Sequence, residues 1–242
     1  MQDGEMERGI SERFGAAKRI IRAAGAIALE YFATYDTLEV EMKTSRQDTV
    51  SAADREVETF IRSEIAKLFP LDSTIGEEHG EVTGDSDYTW VIDPIDGTAY
   101  FLHGLKSWCT VIALLKEGKP VAGLIYDASQ EQLYSALHGH GAYRNDQPIS
   151  VDKVTPLSGS MLAIGGSSPQ HGAEIGRLVE AVLEAGGVHM RNGSAALTLA
   201  HLAAGHYGGY YEPHSHPGIA LRDCCSFRKR AALPTIFKKI QV

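Results

Sequence analysis

The chain has 242 residues, enough to bury a core without disulfides or metal. An apolar fraction of 43%, a charged fraction of 22% and 34 Gly plus Pro residues exclude a disordered or fibrous chain. A net charge of -8 argues against binding a phosphate backbone or an anionic membrane by bulk charge, and no apolar run reaches the roughly 18 residues of a membrane span.

From Glu7 to Tyr31, apolar residues (Ile10, Phe14, Ala17, Ile21, Ala24, Ala28) recur three or four apart, which predicts a helix. Leu38, Val40 and Met42 alternate with glutamates, as in a short strand. A second helix is expected after Asp54, with Val57, Ile61, Ile65 and Leu68 in register and Pro70 as its stop. An acidic loop, Gly76 to Asp87, leads to Trp90-Val91-Ile92-Asp93, a strand expected to end on carboxylates. Strands then follow at Trp108 to Leu115, Val121 to Tyr126 and Gln132 to Leu137, with one more hairpin at Asn145-Asp146. Beyond Ser150 the rhythm becomes strand and helix in alternation. Met161 to Ile164, Val188 to Met190 and Tyr207 to Glu212 read as strands, Ile175 to Leu183 and Ser194 to Ala204 as helices.

The first half therefore reads as α+β with an antiparallel sheet, residues 1–150, and the second as α/β, residues 151–217. The last stretch differs. Residues 1–217 carry a charge of -13, whereas 218–242 carry six basic residues, one acidic residue and a charge of +5. Met1 to Arg8 has no apolar core of a signal peptide, and three cysteines, two of them adjacent, make no disulfide framework. A cytoplasmic location is expected.

The chemically informative residues are Gly76-Glu77-Glu78 and Asp93-Pro94-Ile95-Asp96-Gly97-Thr98. Pro94 lacks an N–H and fixes φ, so the strand is expected to turn and bring Asp93 and Asp96 beside one backbone carbonyl. Gly97 and Thr98 would offer backbone N–H groups to a phosphate. Hard oxygen donors of this kind suit Mg2+, which is held by a few carboxylates together with substrate phosphate. An isolated Asp-Pro-x-Asp-Gly is equally a turn capping a helix.

These residues, with Phe101-Leu102-His103-Gly104 following, resemble the inositol monophosphatase family of Mg2+-dependent, lithium-sensitive phosphatases. Its pattern is G-E-E, then W-x-I-D-P-x-D-G-T-x-N-F-x-H-G. Lys43 to Asp48 and Ser51-Ala52-Ala53-Asp54 also match it, as do Gly193-Ser194-Ala195-Ala196 and Tyr210-Tyr211-Glu212. The resemblance implies a layered αβαβα fold and a phosphomonoesterase of small polyol or sugar phosphates. It implies one metal on Glu77, Asp93 and the Ile95 carbonyl, and a second on Asp93 and Asp96. Thr98 and Glu77 would orient and deprotonate the attacking water, supported by Asp54. Gly97 and Thr98 would hold the phosphate, while Ala195 and Glu212 would touch substrate hydroxyls. A homodimer acting on a small phosphate ester is expected, with no nucleic-acid or membrane partner. Tyr100 departs from the pattern, standing where the family has Asn.

A larger departure follows His216-Pro217. The family has W-D-x-A-A-G and then E-A-G-G there, with a further metal-binding Asp, but this chain reads Gly218-Ile219-Ala220-Leu221-Arg222-Asp223-Cys224-Cys225. Back-translated and read from the third base of the Pro217 codon, Pro217 to Ala232 permits W-D-C-A-A-G-L-L-L-V-S-E-A-G-G. A one-base deletion near Pro217 would put residues 218–242 out of register, truncate the fold and impair the enzyme; a divergent natural C-terminus is the rival reading.

Other chemistry-bearing residues are expected to be structural. His138 and His140 flank turn glycines, His103 is not needed for the reaction, Cys109 fits a strand interior, and Cys224-Cys225 lie in the anomalous stretch. His214 and His216 beside Glu212 could chelate a transition metal or simply lie in a loop. The competing functions are phosphatases of histidinol phosphate, fructose 1,6-bisphosphate or a 3′-phosphoadenosine nucleotide, an inactive metal- and phosphate-binding remnant, and a fragment that does not fold.

Overall fold

The computed structural model describes residues 2–38, 40–45, 48–151, 156–166 and 171–213. The anomalous stretch 218–242, with Cys224 and Cys225, and the His214–His216 pair lie outside the described residues.

Two helices, α1 (Gln2–Phe32) and α2 (Ala52–Leu68), form the first layer. Ala16, Ala17, Ile20, Ile21, Ala24 and Ala28 bury one stripe of α1, and Ala53, Val57, Ile61 and Ile65 bury one stripe of α2. Between them run β1 (Val40–Ser45) and β2 (Asp48–Ser51), an antiparallel pair.

The stripes cover an eight-stranded sheet. Its strands are β3 (Ser73–Gly76), β4 (Gly80–Val82), β5 (Tyr88–Asp96), β6 (Cys109–Lys116), β7 (Lys119–Asp127), β8 (Gln132–Leu137), β9 (Gly141–Arg144) and β10 (Gln147–Pro148). Their order is β10-β9-β8-β7-β6-β5-β3-β4, antiparallel throughout except that β3 runs parallel to β5. Alternation sorts the side chains. Trp90, Ile92, Ile112, Leu114, Ala122, Leu124 and Leu133 face the two helices, whereas Val111, Ile125 and Tyr134 face the other way.

On that second face lies α5 (Ala195–Ala203), which buries Leu197 and Ala200 against Cys109, Val111 and Ile125. Its opposite side, Leu199 and Leu202, packs with Ala163 of a second sheet and with Tyr207 in the loop that follows the helix. This sheet is all parallel, β11 (Met161–Ile164) between β12 (Val188–Met190) and β13 (Gly209–Tyr211), and α4 (Gly172–Glu184) runs beside β12. The result is a layered α/β fold.

Three sequence expectations need correction. The strand expected at Leu38–Met42 spans Val40–Ser45, and its partner β2 was not anticipated. The stretch read as an acidic loop contains β4, whose three exposed residues carry no apolar alternation to reveal it. The strand expected to end at Asp93 continues through Pro94 to Asp96. It does so by a bulge, since Asp93 pairs with Val111 and Asp96 with Cys109, one residue more on β5 than on β6. A proline cannot donate to a ladder but is tolerated at a bulge, where the pairing is already interrupted. Thr110 Oγ1 donates to the Pro94 carbonyl at 3.0 Å, satisfying an acceptor there.

One buried ion pair ties the first layer to the sheet. Arg13 of α1 forks onto Asp72 through Nε (2.7 Å) and Nη2 (2.8 Å), while Ser86 Oγ (2.7 Å) and Trp90 Nε1 (2.8 Å) donate to the same carboxylate. Burial pushes the Asp72 carboxyl up, but hydrogen bonds from Arg13, Ser86 and Trp90, with the Arg13 charge, outweigh it and leave the carboxyl below its usual range. A depressed carboxylate stabilises the fold above its unfolded pKa of about 3.9 and loses that contribution as pH falls through the folded value. We expect Asp72→Ala to lower unfolding free energy by about 3 kcal/mol at neutral pH. In urea titrations across pH, the gap from the parent protein should narrow below about pH 4.

Candidate active site

The site is built where β5 bulges. The Asp93 residue is half-buried, but its Oδ1 is shut off from solvent and has no hydrogen-bond partner. Burial first, and then the charges of Glu77, Asp96, Asp54 and Glu78, push the Asp93 carboxyl well above its ordinary range. A buried, unpartnered carboxylate oxygen facing other carboxylates is what a cation would satisfy. The residues present therefore fit a divalent metal at Asp93.

Glu77 follows β3 in the turn to β4, and β3 lies beside β5, so strand pairing alone brings Glu77 toward Asp93. Ile95 is buried on the bulge with its carbonyl accepting from Thr98 Oγ1 at 2.9 Å. Thr98 Oγ1 also lies 3.3 Å from Oδ1 of Asp54, a residue in the first turn of α2. With its one proton directed to these two acceptors, the Thr98 oxygen keeps a lone pair to accept from a water. Gly97 precedes α3 (Thr98–Leu102) at φ +100°, a left-handed conformation that favours glycine. A Cβ there would also come within 2.7 Å of the Ser107 carbonyl.

Asp96 points across the layer boundary. Its Oδ2 accepts from Ser194 Oγ and from the Ala196 N–H, each at 2.6 Å, at the N-terminus of α5. Ser194 is the N-cap, accepting from the Leu197 N–H at 2.9 Å. The Ser194 proton goes to Asp96, so the buried Cys109 thiol, 3.3 Å away, is the donor of that pair. Burial, with Asp96 nearby, pushes the Cys109 thiol well up, as suits an inert core residue. Ala195 stands half-buried in the same turn. Glu212, just past β13, accepts from Tyr210 Oη at 2.7 Å, and its Oε1 approaches within 3.1 Å of where a Cβ on Gly165 would lie.

The structure thus gathers Glu77, Asp93, Asp96, Asp54 and Thr98 about one strand end, with Ala195 across from Asp96; Glu212 lies at the end of the second sheet. Among the described residues, no three His, Cys, Asp or Glu side chains close tightly enough to enclose an ion unaided. His103 is exposed with Nδ1 on the Ala99 carbonyl, and His138 and His140 sit in the β8–β9 turn.

Three residues escaped sequence reading. Glu58 and Arg62 of α2 lie against the Glu77 turn, a role hidden because a charged residue on a helix reads as a solvated face. Asn192, whose Oδ1 is buried without a partner, precedes the Gly193-Ser194 turn.

A bulged strand end bearing carboxylates, inside alternating helix and sheet layers, places the site in a layered α/β fold. The model of the inositol monophosphatase family matches residues 10–226. The chain is 37% identical over 193 residues to an inositol-1-monophosphatase of Mesorhizobium japonicum, covering 78% of this chain and 72% of that one. It is 34% identical over 199 residues to the Nus factor SuhB of Escherichia coli K12, covering 81% and 74%. The crystal structure of the extragenic suppressor protein suhB from Bartonella henselae superposes with a TM-score of 0.82 at 30% identity, covering 93% of this chain and 83% of that one. The chain belongs to the inositol monophosphatase family, a family of phosphatases.

Within the described residues, Tyr100 departs from the family pattern. Its ring lies over Gly193, and a Cβ there would come within 2.0 Å of it. We expect Gly193→Ala to destabilise the protein and Tyr100→Ala to relieve it. A double-mutant cycle by thermal melting should give a coupling of about 1 kcal/mol or more.

Proposed function

We propose that the site hydrolyses a small polyol or sugar monophosphate, inositol 1-phosphate being the first candidate. The buried, unpartnered Oδ1 of Asp93 among other carboxylates carries this reading. Glu77, Asp93 and the Ile95 carbonyl would hold one Mg2+; Asp93 and Asp96 would share in a second. The ion would supply charge to activate the attacking water and to stabilise the phosphoryl and leaving oxygens.

This chain's own residues do the rest. Thr98, its proton directed to the Ile95 carbonyl and Asp54, accepts a hydrogen bond from the attacking water, and Glu77 takes the proton released as oxygen attacks phosphorus, while the P–O bond to the polyol breaks and the leaving alkoxide takes a proton from water. The N–H groups of Gly97 and Thr98 hold the phosphoryl oxygens. Ala195 and Glu212 orient the polyol, the carboxylate favouring hydroxyls or an amine over a second phosphate. Histidinol phosphate, fructose 1,6-bisphosphate and a 3′-phosphoadenosine nucleotide are the alternatives that a substrate panel separates. No described helix is long and apolar enough to cross a membrane. The cytoplasmic location, the homodimer, the absence of a nucleic-acid partner and the division near residue 150 are part of the same proposal.

The proposal extends to impairment. In the described residues Asp96 has one oxygen committed to α5, and no Asp stands at the position just after Pro217 where the family pattern has W-D. The family match runs to residue 226, nine positions past Pro217, which weighs toward the rival reading of a divergent natural C-terminus; the coding DNA decides between the two. A correctly framed gene whose codons do not permit the family motif overturns the deletion. Loss of one transition-state ligand costs about 10²–10³ in rate. We expect slow, Mg2+-dependent phosphate release from inositol 1-phosphate. Restoring the shifted frame should raise kcat by about 10²-fold or more, and Asp93→Asn should abolish release. Rapid turnover by the 242-residue chain would contradict the impairment, and no release from the reframed chain on any panel substrate would contradict the phosphatase reading.

A further inference from the structure

The Glu77 turn is gripped by charged residues that the reaction itself does not use. Glu58 of α2 is fully buried, and its carboxylate accepts the Glu78 N–H at 2.7 Å and the His79 N–H at 3.2 Å. Arg62, one helical turn on, donates Nε to Glu58 at 2.6 Å and Nη1 to Thr74 Oγ1 of β3 at 2.7 Å, and its Nη2 reaches the Gly80 carbonyl at the start of β4. From the same helix, Thr59 Oγ1 meets His79 Nε2 at 2.9 Å. Gly76 makes this approach possible, because a Cβ there would lie 2.0 Å from Glu58 Oε1.

Asp54, Glu58 and Arg62 stand four residues apart, so they line one face of α2. The first touches Thr98 on one side of the site; the other two fix the turn carrying Glu77 on the other. We propose that Glu58, braced by Arg62, is a positioning residue that holds the Glu77 turn in register with Asp93, so that the face of α2 sets the cation affinity of the carboxylate cluster. The cation part rests on the function proposed above; the positioning part does not. A fully buried carboxylate engaged by one arginine N–H and two backbone donors keeps its place even as like charges gather beside it. Without it, the repulsion of Glu77 from Asp93 and Asp96 is free to open the turn.

The test is amide hydrogen exchange on the full chain, paired with Mg2+ calorimetry, for the parent and Glu58→Gln. The amide group keeps the length of the side chain but loses its charge and one acceptor. Exchange at the Glu78 and His79 amides should rise at least tenfold while the β5–β6 ladder is unchanged, and Mg2+ affinity should fall about 10–100-fold. Gly76→Ala, which leaves the buried ion pair in sequence but displaces it from the turn, should give the same pattern and decides the matter if Glu58→Gln fails to fold. Unchanged exchange at the turn in a folded variant overturns the positioning role. Faster exchange with unaltered Mg2+ affinity overturns the link to the cluster. A parent chain that binds no Mg2+ overturns the site reading instead, and the exchange data still decide what Glu58 does.

Discussion

The structure depends on holding like charges together. Glu77, Asp96, Asp54 and Glu78 all bear on the buried Asp93 carboxyl, and the mutual repulsion opposes the fold that assembles them. Each is therefore anchored by something else. The bulge of β5 fixes Asp93 and Asp96 by backbone pairing to Val111 and Cys109, Asp54 sits buried in the first turn of α2, and the Glu77 turn is held by backbone donors to Glu58. The anchoring groups come from the helix layer and the sheet, so neither layer alone would keep the carboxylates in place. This arrangement stores an unfavourable charge cluster in a stable frame, the usual condition of a site waiting for a counter-charge.

The sequence disclosed elements with strong periodicity and motifs whose residues lie close along the chain. The α1 stripe, the strands Gln132–Leu137, Met161–Ile164 and Val188–Met190, and the helix expected at Ser194 to Ala204 were all readable from spacing. What it hid were features set by neighbours in space. β4 has no apolar residue facing a core, and β3 pairs in parallel with β5 although the surrounding sheet is antiparallel, a choice no local pattern encodes. Pro94 argued for a break, and locally it is one; only pairing with β6 shows that the strand resumes at Asp96. Glu58 illustrates the same limit, since its burial follows from Gly76, eighteen positions away, lacking a side chain.

The joint between the two sheets is equally instructive. α5 packs Leu197 and Ala200 on the first sheet and Leu199 and Leu202 on the second, so its N-terminus is fixed from both sides. That N-terminus presents Ser194 Oγ and the Ala196 N–H to Asp96, placing a favourable partial positive charge against a carboxylate of the site. Asp96 thus reports on the second sheet as well as the first. Its commitment to α5 also divides the cluster unequally. Around Asp93 the fold supplies Glu77 from the turn after β3 and the Ile95 carbonyl from β5, whereas Asp96 answers to a helix that leans on a three-stranded parallel sheet.

That inequality bears on how a chain can keep the family's motifs intact and still be impaired. The residues nearest Asp93 come from one sheet and the helices on its outer face, all of it before residue 150. Groups on the Asp96 side come from the second sheet, where β13 is the last described strand and Glu212 the last described carboxylate. A change of reading frame after Pro217 would therefore remove charge and packing from that side only. On the proposed reading, cation binding at Asp93 and Glu77 and stabilisation of the leaving oxygen beside Asp96 are separable. The first rests on a buried oxygen enforced by strand pairing, the second on a ligand that a shifted frame would remove. Binding would then outlast turnover, because the strands that gather the charges precede the stretch that would complete them.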